Sequence, residues 1–71
     1  SDEQGAATAI GAAVRARRRA LGLSMRDLSG RIGTSQPFVS NIENGRIFPS
    51  LRTLGLLADA LGIPSDQLLR S

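Results

Sequence analysis

Residues 23–46, LSMRDLSGRIGTSQPFVSNIENGR, constrain this chain more than any other stretch. They divide at Gly33 into two short runs of helical periodicity, with room for only a tight turn between them. Ser24 offers its hydroxyl to an orphan backbone N–H at the start of the first run, and Asp27 three residues on makes a weak capping box. Leu23 and Leu28 are placed to staple that start. Met25, Leu28 and Ile32 face inward, Gly30 costs a little helix propensity, and Gly33 supplies the positive φ that ends the run. Thr34 or Ser35 caps the second run, and Pro37 falls in its first turn, where a missing N–H does no harm. Gly45 stops it. The Asn44-Gly45 pair would signal a hairpin between strands, but the flanking periodicity is helical. A step of about 100° per residue through 36–44 puts Phe38, Val39 and Ile42 on one side and Gln36, Pro37, Ser40, Asn41 and Asn44 on the other. That second side is rich in short, uncharged hydrogen-bonders, where a merely solvated surface favours Lys, Glu and Arg. Such side chains suit the reading of base edges.

The flanks supply the rest of a helical bundle. In residues 8–21, Ile10, Val14, position 18 and Leu21 recur at i, i+4, i+8 and i+11 on one face. Position 18 is an arginine, and a guanidinium on an apolar stripe needs a carboxylate to offset its desolvation. Glu43, beside the inward face of the second motif helix, is the natural partner. Arg15, Arg17 and Arg19 lie on other faces and read as solvated helix surface. Residues 46–50 form a connection with Phe48 tucked against the core. Ser50 then opens a helix in which Leu51, Leu54, Leu57, Ala58 and Leu61 share one face until Gly62 ends it. Pro64 and Ser65 open a last short helix over 66–69. No segment alternates like a strand, so the expected architecture is a compact, all-α five-helix bundle.

Residues 1–7, SDEQGAA, are small and polar, and are expected to form a disordered tail ahead of one domain over 8–71. The chain does not begin with Met, which fits processing or excision from a longer protein. A chain of 71 residues has room for one core only, with a stability of a few kcal/mol. It has no Cys and no His, hence neither a disulfide nor the usual transition-metal ligands, and no cofactor is expected. No apolar run approaches the roughly 20 residues that cross a bilayer, and the first residues lack a signal-peptide pattern. These readings point to a cytoplasmic protein. All nine basic residues are arginine; set against the four acids outside the tail they give +5, a charge that draws polyanions.

The segment 23–45 resembles the helix-turn-helix core of the phage-repressor/Cro (XRE-type) DNA-binding domains, and the likeness extends over about residues 10–69. Its most specific part is Thr34-Ser35-Gln36-Pro37 through Ile42-Glu43-Asn44-Gly45. There are two departures: Ser29 stands where the family usually has Ala, and Met25 where many members carry Gln or Thr. The resemblance implies a lambda-repressor-like fold with the motif in helices 2 and 3, and the same Arg18–Glu43 pairing. It also implies that the second motif helix enters the major groove while the first crosses the backbone. Gln36 then leads the base contacts, its amide matching adenine N6 and N7. Pro37 offers apolar contact to a thymine methyl, Ser40 and Asn41 follow one turn later, and Ser35 can reach a base or a phosphate. Phosphates fall to the helix starts at Ser24, Met25 and Ser35, to Asn44 and Arg46, and to Arg52 and Arg17 as outlying charge.

One module contacts too little DNA for strong discrimination, so a homodimer on a palindrome with half-sites about 34 Å apart is expected. Its contact would come from the last helix or from an absent C-terminal domain, which is also where any small-molecule effector would bind. The rival reading is a protein-interaction module, an antitoxin or adaptor on the same fold. The polar face of 36–44 argues against it, since protein interfaces favour exposed aromatics and Met. A membrane-surface role for the Arg-rich first helix is a distant third reading, because its apolar stripe is needed for the core. An enzyme is the remotest reading, because no Ser or Asp has an activating partner in sight.

Overall fold

A computed structural model describes residues 2–70. Five helices follow in order: α1 (Asp2–Ala20), α2 (Met25–Ile32), α3 (Gln36–Glu43), α4 (Leu51–Leu61) and α5 (Ser65–Leu69). No strand occurs among the described residues. The core is one cluster of Ile10, Val14, Leu28, Val39, Ile42, Leu54, Leu57, Ala58, Leu61 and Leu68, to which every helix contributes. Burial of these side chains is the main favourable term.

Local chemistry sets the helix boundaries. Ser24 and Asp27 form a complete capping box: the Asp27 N–H donates to Ser24 Oγ and the Ser24 N–H to Asp27 Oδ2, both at 2.9 Å. At the other end of α2, Gly33 takes φ 72°, and the Thr34 N–H donates back to the Ser29 carbonyl at 2.9 Å. Of the two expected caps for α3, Ser35 is the one used, accepting from the Phe38 N–H at 3.3 Å. Ser50 caps α4 in the same way through the Thr53 N–H. Ser29 is buried, its hydroxyl satisfied by the Arg26 carbonyl at 2.9 Å.

Several expectations need correction. The tail expected over 1–7 is not disordered from Asp2 on: α1 begins there, with Asp2 and Glu3 in the first turn, where the helix dipole favours acids. Ser1 lies outside the described residues. The extra turns are held by tertiary contact, because Ala7 is buried and Gln4 Nε2 donates to the Gly45 carbonyl at 3.0 Å. With those two acids inside the fold, the domain carries the whole-chain charge of +3, not +5. Leu21 is exposed, because α1 ends before it and Gly22 turns the chain at φ 72°. Phe48 is not tucked in but 42% exposed, and the neighbouring Pro49 takes the buried position. Leu51 is 80% exposed, since the first residue of α4 overhangs the core that Leu54 begins.

Two glycines let α1 lie against the end of α3. A Cβ on Gly11 would fall 2.7 Å from the Glu43 carbonyl oxygen and closer still to that of Ile42. One on Gly45, which sits at φ 73°, would meet the Thr8 backbone at 2.9 Å. Gly5, in the same α1, faces open space. Gly11→Ala is therefore expected to destabilise the domain by about 1–3 kcal/mol through overpacking against backbone. Gly5→Ala should stabilise it by roughly 0.5–1 kcal/mol through helix propensity. Urea denaturation of both variants measures the contrast, and equal shifts would refute the close approach.

Candidate nucleic-acid interface

α3 is anchored by one face and open on the other. Val39 and Ile42 are fully buried and Phe38 is packed against the same core. On the opposite face Gln36 and Pro37 are exposed, while Ser40 and Asn41 are half-buried. Gln36, Pro37 and Ser40 line one shallow concavity together with Met25 from the start of α2. Residues 11 to 15 positions apart in the chain thus share a surface, because the turn at Gly33 folds α2 back across α3.

The rotation of α3 is set from beneath by charge. Arg18 is 7% exposed and Glu43 4%, and they meet in a two-pronged contact: Nε to Oε2 at 2.7 Å and Nη2 to Oε1 at 3.0 Å. A third bond, from Arg18 Nη1 to the Leu23 carbonyl at 2.9 Å, ties the pair to the segment before α2. The hydrogen bonds it donates to Glu43 raise the pKa of the Arg18 guanidinium above its ordinary value, against the desolvation that opposes its charge. Arg15, expected on the solvated surface, is a second partner of Glu43 at 3.3 Å and donates to Asn44 Oδ1 at 2.8 Å. The signal for it was present in the sequence: residues three apart on a helix are neighbours, and Arg15 precedes Arg18 by three.

The expected phosphate contacts divide. The Ser24 N–H is already taken by the Asp27 carboxylate, so Ser24 has no backbone donor to offer; Met25, at the first position of α2, keeps an N–H without an intrahelical partner. At the start of α3 the Phe38 N–H is capped by Ser35 and Pro37 has none, which leaves the Gln36 N–H as the one outward donor of that turn. Asn44 ends α3 with both ends of its amide engaged, by Arg15 and by Ser40 Oγ at 3.3 Å. Arg46 is exposed beyond it, with Nη1 3.4 Å from Asn41 Oδ1. Arg52 is exposed near the start of α4. Arg17 is half-buried, and its Nε donates to the Leu61 carbonyl at 3.0 Å, at the C-terminal end of α4 on the α5 side of α1.

Comparison with known proteins gives the surface a context. A family model described as Helix-turn-helix matches residues 14–68. The HTH-type transcriptional regulator DdrOP3 of Deinococcus deserti is 42% identical over 52 residues, which are 73% of this chain and 40% of that protein. An uncharacterised HTH-type transcriptional regulator of Sinorhizobium fredii, y4dJ, is 40% identical over 52 residues, covering 73% of this chain and 68% of its own. Among solved structures, the restriction-modification controller protein C.AhdI of Aeromonas hydrophila superposes with a TM-score of 0.84 at 32% identity, over 87% of this chain and 94% of its own.

Glu43→Ala would leave Arg18 buried without its carboxylate and is expected to cost about 3–5 kcal/mol, a large part of the stability of so small a domain. Thermal melts followed by circular dichroism test it; an unchanged midpoint would rule the pair out as a structural element. The Asp27 carboxyl is held below the usual carboxylate range, first by the Ser24 backbone N–H and then by its hydroxyl. A carboxyl depressed in the folded state contributes stability above its unfolded pKa and loses it as pH falls through the folded one, so the loss should develop from about pH 4 downward. Asp27→Asn is expected to show a smaller drop in melting temperature between pH 7 and pH 3 than the parent chain, and an identical drop would contradict the assignment.

Proposed function

The chain belongs to the XRE-type helix-turn-helix family of DNA-binding transcriptional regulators, and from that premise we propose that it recognises a specific duplex sequence with α3 in the major groove. The observation that carries this reading is the two-sidedness of α3, apolar and buried behind, amide- and hydroxyl-bearing in front. None of the exposed large hydrophobic residues, Leu21, Phe48, Leu51, Leu56 and Leu69, lies on it, which favours a nucleic-acid partner over a protein one.

In this reading Gln36 reads an adenine edge through its amide, with Pro37 against a neighbouring thymine methyl. Ser40 and Asn41 reach the next bases, and Ser35 a base or a phosphate. The Met25 N–H, Arg46 and Arg52 hold the sugar-phosphate backbone on either side, which fixes register without choosing sequence. Asn44 contributes through the geometry of its neighbours, and Arg17 drops out because it is committed to α4. Nothing in this scheme asks for a catalytic group or a cofactor.

A single module of this size reads too few bases for strong discrimination, which supports a homodimer on a palindromic operator with half-sites about 34 Å apart. The chain spans 40% of the length of DdrOP3 and 68% of y4dJ. A place as the N-terminal DNA-binding module of a longer regulator is consistent with that, and an effector site would then reside in the remainder.

Selection of bound duplexes from a random pool tests the whole reading, with a palindrome as the expected product. On the selected site, Gln36→Ala is expected to cost about 1–3 kcal/mol and to relax preference at one base position, while Arg46→Ala weakens all duplexes alike. Binding curves on selected and scrambled DNA separate the two; an equal loss from Gln36→Ala on both would remove it as a reader.

A further inference from the structure

The side chain that caps α3 is held at both ends. Arg15 Nη2 donates to Asn44 Oδ1 at 2.8 Å, and Asn44 Nδ2 donates to Ser40 Oγ at 3.3 Å. A guanidinium carries donors only, so the amide atom facing Arg15 must be oxygen, and the NH₂ group must face Ser40. An oxygen that receives an N–H cannot direct its own proton back along the same line. The Ser40 hydroxyl therefore turns its proton away from Asn44, and Ser40 borders the open concavity with Gln36 and Pro37. Arg15 is in turn fixed by Glu43 at 3.3 Å, and Glu43 by Arg18 at 2.7 Å. A continuous line of hydrogen bonds thus runs from the buried ion pair to a hydroxyl on the outer face of α3.

We propose that Arg15, a residue of α1 outside the helix-turn-helix itself, sets the hydrogen-bonding sense of Ser40 and so acts as a positioning residue for sequence choice. The proposal rests on the placement of α3 in the major groove. With Asn44 locked, Ser40 keeps a free proton beside its one unused lone pair, and only a base edge that supplies an acceptor satisfies that proton: N7 or O6 of guanine, N7 of adenine or O4 of thymine. Cytosine presents its amino donor there and leaves the proton without a partner, so it is disfavoured. Without Arg15 the Asn44 amide is free to turn over, its oxygen can accept from Ser40, and the hydroxyl can then present a lone pair instead.

The test measures affinity for the selected duplex and for versions with each base pair varied, using the parent chain, Arg15→Gln, Arg15→Lys, Ser40→Ala and the Arg15→Gln/Ser40→Ala double variant. Discrimination against cytosine at one base position is expected to fall roughly two- to tenfold in Arg15→Gln, the range one hydrogen bond carries. Ser40→Ala should lose preference at that same position, and the double variant should lose no more than Ser40→Ala alone. Arg15→Lys, still donor-only, should retain the preference. If Arg15→Gln weakens every duplex by the same factor, Arg15 is a phosphate contact and the proposal is wrong. A full further loss on adding Arg15→Gln to Ser40→Ala would overturn it as well. Failure of the parent chain to select any sequence would instead remove the docking of α3, and the role of Arg15 with it; melting curves of each variant show that the fold is intact.

Discussion

The buried contact between Arg18 and Glu43 is the constraint on which the other features of this domain depend. Two charges taken out of water cost several kcal/mol each, and their attraction offsets that only when geometry is good and remaining donors are satisfied. Both conditions hold here: the contact is two-pronged, Arg18 has a third bond to the Leu23 carbonyl, and no buried side-chain polar atom among the described residues lacks a partner. A leucine pair of similar volume could fill the same space with comparable stability, but it would not be directional. Glu43 is the last residue of α3, so a carboxylate that must meet a fixed guanidinium sets the roll of that helix about its own axis. A helix turned by one residue, about 100°, would carry Gln36 and Ser40 off the outer face.

Directional bonding of this kind works only if the two helices come close, and glycine makes that possible. α1 meets the carbonyls of Ile42 and Glu43 at Gly11, about one helical turn before Arg15 and about two before Arg18. The first turns of α1 then continue past Gly45, where Gln4 and Thr8 close over the loop that follows α3. α1 is in this sense a rail along which α3 is set, bonded at its far end by Arg18, in the middle by the bare backbone at Gly11, and near its start by Gln4.

How much of this was legible in the sequence depends on whether the cause was local. The capping serines, the glycine at the end of α2, the apolar stripe of α3 and the arginine out of place on an apolar face all follow from short-range rules, and all are present in the structure. What the sequence concealed were close approaches between segments far apart in the chain. Gly11 reads as an unremarkable glycine in a helix until α3 lies against it. Residues 1–7 have the composition of a tail, and only burial of Ala7 and a bond across 41 residues from Gln4 make a helix of them. Phe48 and Leu51 failed for the opposite reason: they are apolar enough for a core, but the chain leaves the core at those positions, and Pro49 and Leu54 fill it instead. For the surface face of α3 the residue types were readable, whereas which ends of their amides point where was not, since that depends on arginines contributed by other elements.

The same commitments determine how the positive charge of the domain is placed. Of the nine arginines, Arg15 and Arg18 serve Glu43, Arg17 closes α4, Arg31 reaches the Ala60 carbonyl, Arg46 leans on Asn41 and Arg70 pairs with Asp66. Among the described residues only Arg19, Arg26 and Arg52 have neither a hydrogen bond nor an ion pair. A bond to a neutral oxygen fixes a guanidinium without cancelling its charge, so only Arg15, Arg18 and Arg70, which face carboxylates, are neutralised within the fold. The chain keeps a net charge of +3, and a polyanion meets it at cations such as Arg46, which is held in place by an amide oxygen and still exposed. Arginine thus serves two ends in this domain: two of them orient the end of α3 through Glu43, and others carry the surface charge that long-range attraction depends on.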